Sequence, residues 1–262
     1  MANFTNRFSE EIDTLSADRA SLDLYQIEKS PPKKFITVNV SSILTYLVIA
    51  TIGLVLLNLL VVLSYQMDFK FPARDKFYFD REDSLPTYFS AILLLISAAV
   101  LGFIAVIKRK EKDKFTNHWI GLALIFLALS IDESVSFHEF LIEPLRAKFE
   151  LTGFLRFPWV IAGGIFVLIF GISYIRFFLA LSNKMKVWFF CSGAIYVLGV
   201  IGFEMIGGSI YQGASGVQDT SLPYMIVMTI EETLEMTGIC LFIFTLLLYI
   251  KTYASKINLS IQ

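Results

Sequence analysis

Apolar residues run along this 262-residue chain in six blocks, at about 40–63, 86–107, 117–137, 158–181, 187–208 and 222–250. A hydrocarbon core about 30 Å thick is crossed by roughly 20 helical residues, so each block is long enough to span a bilayer. The pattern predicts an all-α, polytopic integral membrane helix bundle of about six transmembrane helices over 40–250, between an N-terminal tail (1–39) and a short C-terminal tail (251–262). In the first tail Phe4, Phe8, Ile12 and Leu15 share one helical face, which suits either a short amphipathic helix on the membrane surface or an unstructured tail. Between the first two blocks, the loop 64–85 carries "MDFKFPARDKFYFD". Its alternation predicts a hairpin with Phe69, Phe71, Phe77 and Phe79 on one face, as a lid over the bundle mouth or as interfacial anchors. Ser84, before Leu85 and Pro86, is placed to cap the second helix.

Composition supports the membrane reading, since 56% of the residues are hydrophobic and only 17% charged, against about 45–50% apolar residues in soluble domains. The net charge of −1 matters less than where the basic residues fall. They gather in "KSPPKK" before the first block, "KRKEKDK" between the second and third, "NKMK" between the fourth and fifth, and "KTYASK" after the sixth. The loop after the fifth block has no Lys or Arg. Both termini are therefore expected in the cytoplasm, with the first span an uncleaved anchor and the cytoplasmic membrane of a bacterium as the setting. Cys191 and Cys240, single in their spans, are expected to be packing residues.

Three spans break their apolar runs with acids. Span three ends "SIDESVSFHEF", placing Asp132, Glu133, His138 and Glu139 together; span five carries Glu204 before "MIGGS"; span six opens "TIEETLEMTG", with Glu231, Glu232 and Glu235. Counting about 1.5 Å per residue from the basic end of each span puts Asp132, Glu204 and Glu235 in one layer, about a turn below the outer boundary. Helical phase sets Glu231, Glu232 and Glu235 on one stripe. Asp132, Ser136, Glu139 and Glu143 form a second stripe, flanked by Glu133 and His138, unless the helix ends near Phe137. Gly202, Gly207 and Gly208 are expected to allow close helix packing beside Glu204. His118, at the inner end of span three, reads as an interfacial residue.

An ionised acid at a helix centre costs about 2.5–3.5 kcal/mol on insertion scales. No Lys or Arg lies in the outer halves of these spans, and Arg146 and Arg156 of the loop after span three can reach the mouth but do not balance seven acids. Protons, a bound cation or water must relieve the charge. Oxygen-rich ligation with one imidazole suits a divalent metal cation such as Mn, Fe, Zn or Ca. The candidate ligands are Asp132, His138, Glu139, Glu204, Glu231 and Glu235, with Glu133 and Glu232 as further members. Four-helix di-metal proteins use a similar ligand logic, but their Glu-x-x-His spacing does not occur here.

The run of "EDSLPTYFSAILLL", "SIDESVSFHE", "FEMIGG" and "EETLEMTG" from about 80 to 250 resembles an uncharacterised family of bacterial six-span membrane proteins, a resemblance that implies no mechanism. Intramembrane CAAX-type proteases also carry paired glutamates, but their following arginine and later histidines are missing. The functional expectation is a metal-dependent membrane enzyme acting on a lipid or small molecule at the outer leaflet. A cation- or proton-coupled transporter and a structural or sensor subunit are the alternatives. The lipid bilayer is the expected partner and nucleic acid is not.

The orientation is testable by labelling. A cysteine placed by Lys112→Cys should react with an impermeant maleimide only after the membrane is permeabilised; reaction in intact cells would reverse the topology.

Overall fold

The computed structural model describes residues 39–149, 151–212 and 219–260; the expected tail helix at 4–15 lies outside them. Six stretches are long and apolar enough to cross a membrane. Helix α1 (Val40–Gln66) opens on Asn39, whose side chain accepts from the amides of Ser41 and Ser42. Helix α2 (Leu85–Lys110) is capped by Ser84, which accepts from the Thr87 amide at 3.3 Å. A tight basic turn leads to α3 (Thr116–Val135), then a one-turn helix and the short α4 (Ile142–Phe149). Two further spans follow. One is α5 (Trp159–Ala180); the other begins as α6 (Asn183–Val197), widens into a π turn (Leu198–Phe203) and ends as α7 (Glu204–Ile210). The last helix, α8 (Leu222–Ser260), continues beyond the expected span end at 250.

Helices α2 and α8 form the centre: half of each membrane-spanning window is buried inside the bundle, against 11% for α5. Near the basic end, Leu101, Trp119, Leu122, Phe177, Phe242 and Leu246 build one apolar cluster. A second, of Leu93, Leu94, Ile239, Cys240 and Ile243, binds α2 to α8. Both cysteines are free thiols, and Cys240 packs in the core, 3.8 Å from the Thr51 hydroxyl. His118 sits among Phe115, Tyr174 and Phe177, far along α3 from the acids.

The expected hairpin does not form, and there is no strand among the described residues. Pro72 removes a ladder donor, and Ala73 takes a left-handed conformation at φ 58° that starts a single turn over Arg74–Phe77. The aromatics still anchor the loop: Phe71 and Phe77 pack against Val61, Val62, Tyr78 and Met225. Asn58 is the post that holds it. Fully buried, it donates to the Thr229 hydroxyl at 2.8 Å and accepts from the Phe79 amide at 3.1 Å, joining α1, α8 and the loop.

Replacing this residue by an isosteric apolar one, Asn58→Leu, should strand the Phe79 amide and cost about 1–3 kcal/mol. Thermal melting in detergent should show the loss, with faster amide exchange at 78–83. Unchanged exchange there would rule out the post.

Candidate functional site

The acids of α3, the π-turn span and α8 meet around one cavity of about 170 Å³. From α8 come Glu231, Glu232 and Glu235; from α3 and the turn after it come Asp132, Glu133, His138 and Glu139; Glu204 opens α7. All eight expected residues line it, including Glu133 and Glu232. No Lys or Arg does.

The end of α3 departs from the expected stripe. The helix stops at Val135, and Ser136 adopts a left-handed conformation (φ 57°, ψ 42°) that turns the chain back. The next turn therefore brings His138 onto Asp132, which accepts from the His138 amide at 3.0 Å through one oxygen and pairs with Nδ1 at 3.0 Å through the other. Glu139 reaches the cavity through this turn rather than along a continuous helical face.

Glu204 depends on the π turn. Tyr196, Val200 and Glu204 all face the cavity, although eight residues of regular α-helix would rotate the last by about 80° from the first. The wider turn cancels that drift. A close backbone approach accompanies it: a Cβ on Gly199 would lie 2.9 Å from Glu235 Cγ and 3.0 Å from the Glu231 carbonyl oxygen, and one on Gly238 would lie 2.8 Å from the Tyr196 amide. Of the glycines expected to pack beside Glu204, Gly207 fits against Met228 and Gly208 against Gly153, Arg156 and Phe157. Gly202 meets only Leu198 of its own turn.

Two loop acids complete the lining that sequence reasoning missed. Asp80 accepts from the Tyr224 hydroxyl at 3.0 Å, and Glu82 from the Ser136 hydroxyl at 2.8 Å. Three basic residues of the loop, Arg74, Lys76 and Arg81, are engaged elsewhere. Lys76 and Arg81 both pair with Asp83, whose carboxyl is held down to about 2 by the Lys76 and then the Arg81 hydrogen bonds, and Arg74 pairs with Asp75. Arg156, expected near the mouth, stacks over Tyr211 at 4.2 Å.

Trp159 also went unforeseen. Its indole donates to Glu204 Oε1 at 2.7 Å, and its ring lies 5.0 Å from that of His138. Glu204 also lies beside Glu231. Buried Oε2 atoms of Glu231 and Glu232 have no hydrogen-bond partner, and Glu231 is only 7% exposed. Among the described residues, no three His, Cys, Asp or Glu side chains are arranged as a ready metal-binding group.

At the mouth, burial pulls the His138 imidazole down, but the Asp132 hydrogen bond and charge outweigh it, with Glu82 and Glu204 adding, and the ring is carried up to about 9. Burial pushes the Glu139 carboxyl up.

An integral membrane helix bundle with an acidic cavity at one end is thus the class that fold and site define. More narrowly, residues 46–250 match the domain of unknown function DUF8692, and the chain belongs to that family. No curated protein and no solved structure matches the chain.

The His138 pair predicts a pH signature. Because its folded-state value lies above the ordinary 6.5 of the ring, its stabilisation is fully present below about pH 6.5 and is lost as pH rises through about 9. With chelator present, melting temperatures should decline over that window, and Asp132→Asn should flatten the decline. An equal slope in the variant would assign it to other groups.

Proposed function

We propose that this protein binds a divalent cation in the acidic cavity, on the extracytoplasmic side of its membrane, and uses it as a metal-dependent enzyme on a lipid or small molecule reaching the same mouth. One observation carries the reading: nine carboxyl groups and one imidazole line a single cavity without a basic side chain, and the nearly buried Glu231 keeps an oxygen without partner. Such a site attracts a cation strongly, because desolvated like charges gain most from a neutralising ion.

Oxygen donors dominate, and they surround the cavity rather than converge as a closed ligand set. That suits a hard ion that keeps part of its water shell, such as Ca²⁺ or Mn²⁺, over a tetrahedral structural zinc. Transport is less well supported. Between the cavity and the basic end lie the stacked Phe126 and Phe242, 4.5 Å apart, and the cluster around Trp119, with no acid among the residues that form it.

Binding to the folded state alone should stabilise the protein by about 2.7 kcal/mol at a hundredfold excess of cation over Kd. Chelation should lower the melting temperature, and Glu231→Gln with Glu235→Gln should abolish that response. Acidification should raise the stability of chelated protein by protonating the crowded carboxyls, yet lower that of cation-loaded protein by competing for its ligands. Melting indifferent to chelator and to added cations would leave protons as the neutralising agent and sink the metal reading.

A further inference from the structure

Resting on the reading above that the cavity is a binding site, we infer that the turn carrying His138 and Glu139 is also a membrane-docking rim, across which a lipid headgroup enters the cavity sideways from the leaflet at that end of the bundle. The turn (Phe137–Leu141) is a 3₁₀ helix, in which residues three apart stand one above the other. Phe137 and Phe140 therefore share a side, with ring centroids 6.1 Å apart, and they are 54% and 68% exposed. His138 and Glu139, between them, leave the turn in other directions and line the cavity. One turn thus presents two phenyl rings outward and two titratable groups inward.

What covers the rings follows from the helix they continue. Ile131 and Val135, four apart on the last turns of α3, are exposed apolar residues of a span, where hydrocarbon is the surrounding medium. Ser136 reverses the chain while its amide still bonds the Asp132 carbonyl at 2.6 Å, so the rings follow directly on that lipid-facing strip. Asp132 lies about a turn below the membrane boundary, which sets Phe137 and Phe140 at the level of the headgroups. Bared phenyl rings at that level, continuous with a span, are the composition of an interfacial anchor.

The cavity is open on the same side. Towards α8 and the loop it is closed, with Glu231, Glu235, Tyr78 and Phe79 all buried. Beside the rim, the side chains of His138 and Asp132 keep 26% and 33% of their surface, and Glu139 is exposed. A headgroup travelling in the leaflet comes within reach of these three residues without its lipid leaving the membrane. A solute arriving from water gains nothing from the two rings, so the rim favours a lipid over a soluble small molecule as the substrate.

The unaltered full chain should be reconstituted in phosphatidylcholine vesicles containing a small fraction of phosphatidylcholine with a diazirine in its headgroup, photolysed, and its adducts located by peptide mass spectrometry. Adducts are expected on Phe137 or Phe140 and also on His138 or Glu139. Phe137→Ser with Phe140→Ser, which removes only exposed rings, should lower the His138 and Glu139 adducts several-fold and keep the response of the melting temperature to chelator. No adduct on the turn would overturn the rim. Adducts on the rings alone, or undiminished inner adducts in the variant, would overturn entry across it. Inner adducts on a chain whose melting ignores chelator would sink the cation reading and support lipid entry on its own. Labelling of the unaltered chain requires no variant to fold.

Discussion

Repulsion among carboxylates in a poorly solvated space is the constraint on which the acidic end of this bundle depends. Two ionised carboxylates about 4 Å apart repel by about 4 kcal/mol at an effective dielectric of about 20. Whole domains are stable by only about 5–15 kcal/mol, so a few such pairs would unfold the end of the bundle that holds them. The structure relieves some members singly. Asp132 has His138, Glu204 has the Trp159 indole, Glu82 has Ser136 and Asp80 has Tyr224. Nothing comparable reaches the second oxygens of Glu231 and Glu232. Those atoms define where positive charge is needed.

Irregular backbone is what gathers these groups. A straight α3 would have carried Glu139 up one face; the left-handed Ser136 instead folds His138 over Asp132. A regular fifth span would have turned Glu204 away from Tyr196; the π turn keeps them in line. Glycine at 199 and 238 then lets this widened segment approach α8 closely enough for Glu235 to pass between the backbones. Both devices sit beside the acids, where local regularity is given up for the aim of a side chain.

How much of this was legible follows from the kind of signal each feature leaves. Span number and approximate bounds are written in hydropathy, which depends only on composition over about 20 residues. The convergence of Asp132, Glu204, Glu231 and Glu235 was legible because depth and phase can be counted along regular helix from a basic end. The continuous stripe on span three gave way at Ser136, close to the ending allowed for near Phe137, while Glu204 reaches the cavity as expected but through a π turn that hydropathy does not mark. Ser136 is neither glycine nor proline, and Gly199 and Gly202 within the π turn read equally well as sites of close helix packing, so neither irregularity was announced. Asp80 and Glu82 were missed for another reason: the loop is nearly balanced in charge as a whole, and only the pairing of Lys76 and Arg81 with Asp83 releases its other acids to the cavity. The hairpin was a wrong period reading, since alternation of aromatics with charges served burial against α1 and α8 without any strand partner.

The apolar layer beneath the cavity has a part in its chemistry. Phe126 stacks on Phe242, Phe189 meets Phe242 edge-on, and Trp119 is wedged against Phe177 and Tyr249. Aromatic packing of this density leaves little space for water along the bundle axis, and the buried hydroxyls of Ser97, Ser192 and Thr245 donate to carbonyls of their own helices. The acids thus have solvent on one side only, and the dry layer keeps the local dielectric low on the other. Low dielectric raises the cost of every unpaired carboxylate and, by the same factor, the gain from an ion that pairs it. Filling the layer with polar side chains would weaken cation affinity even though no ligand had been touched.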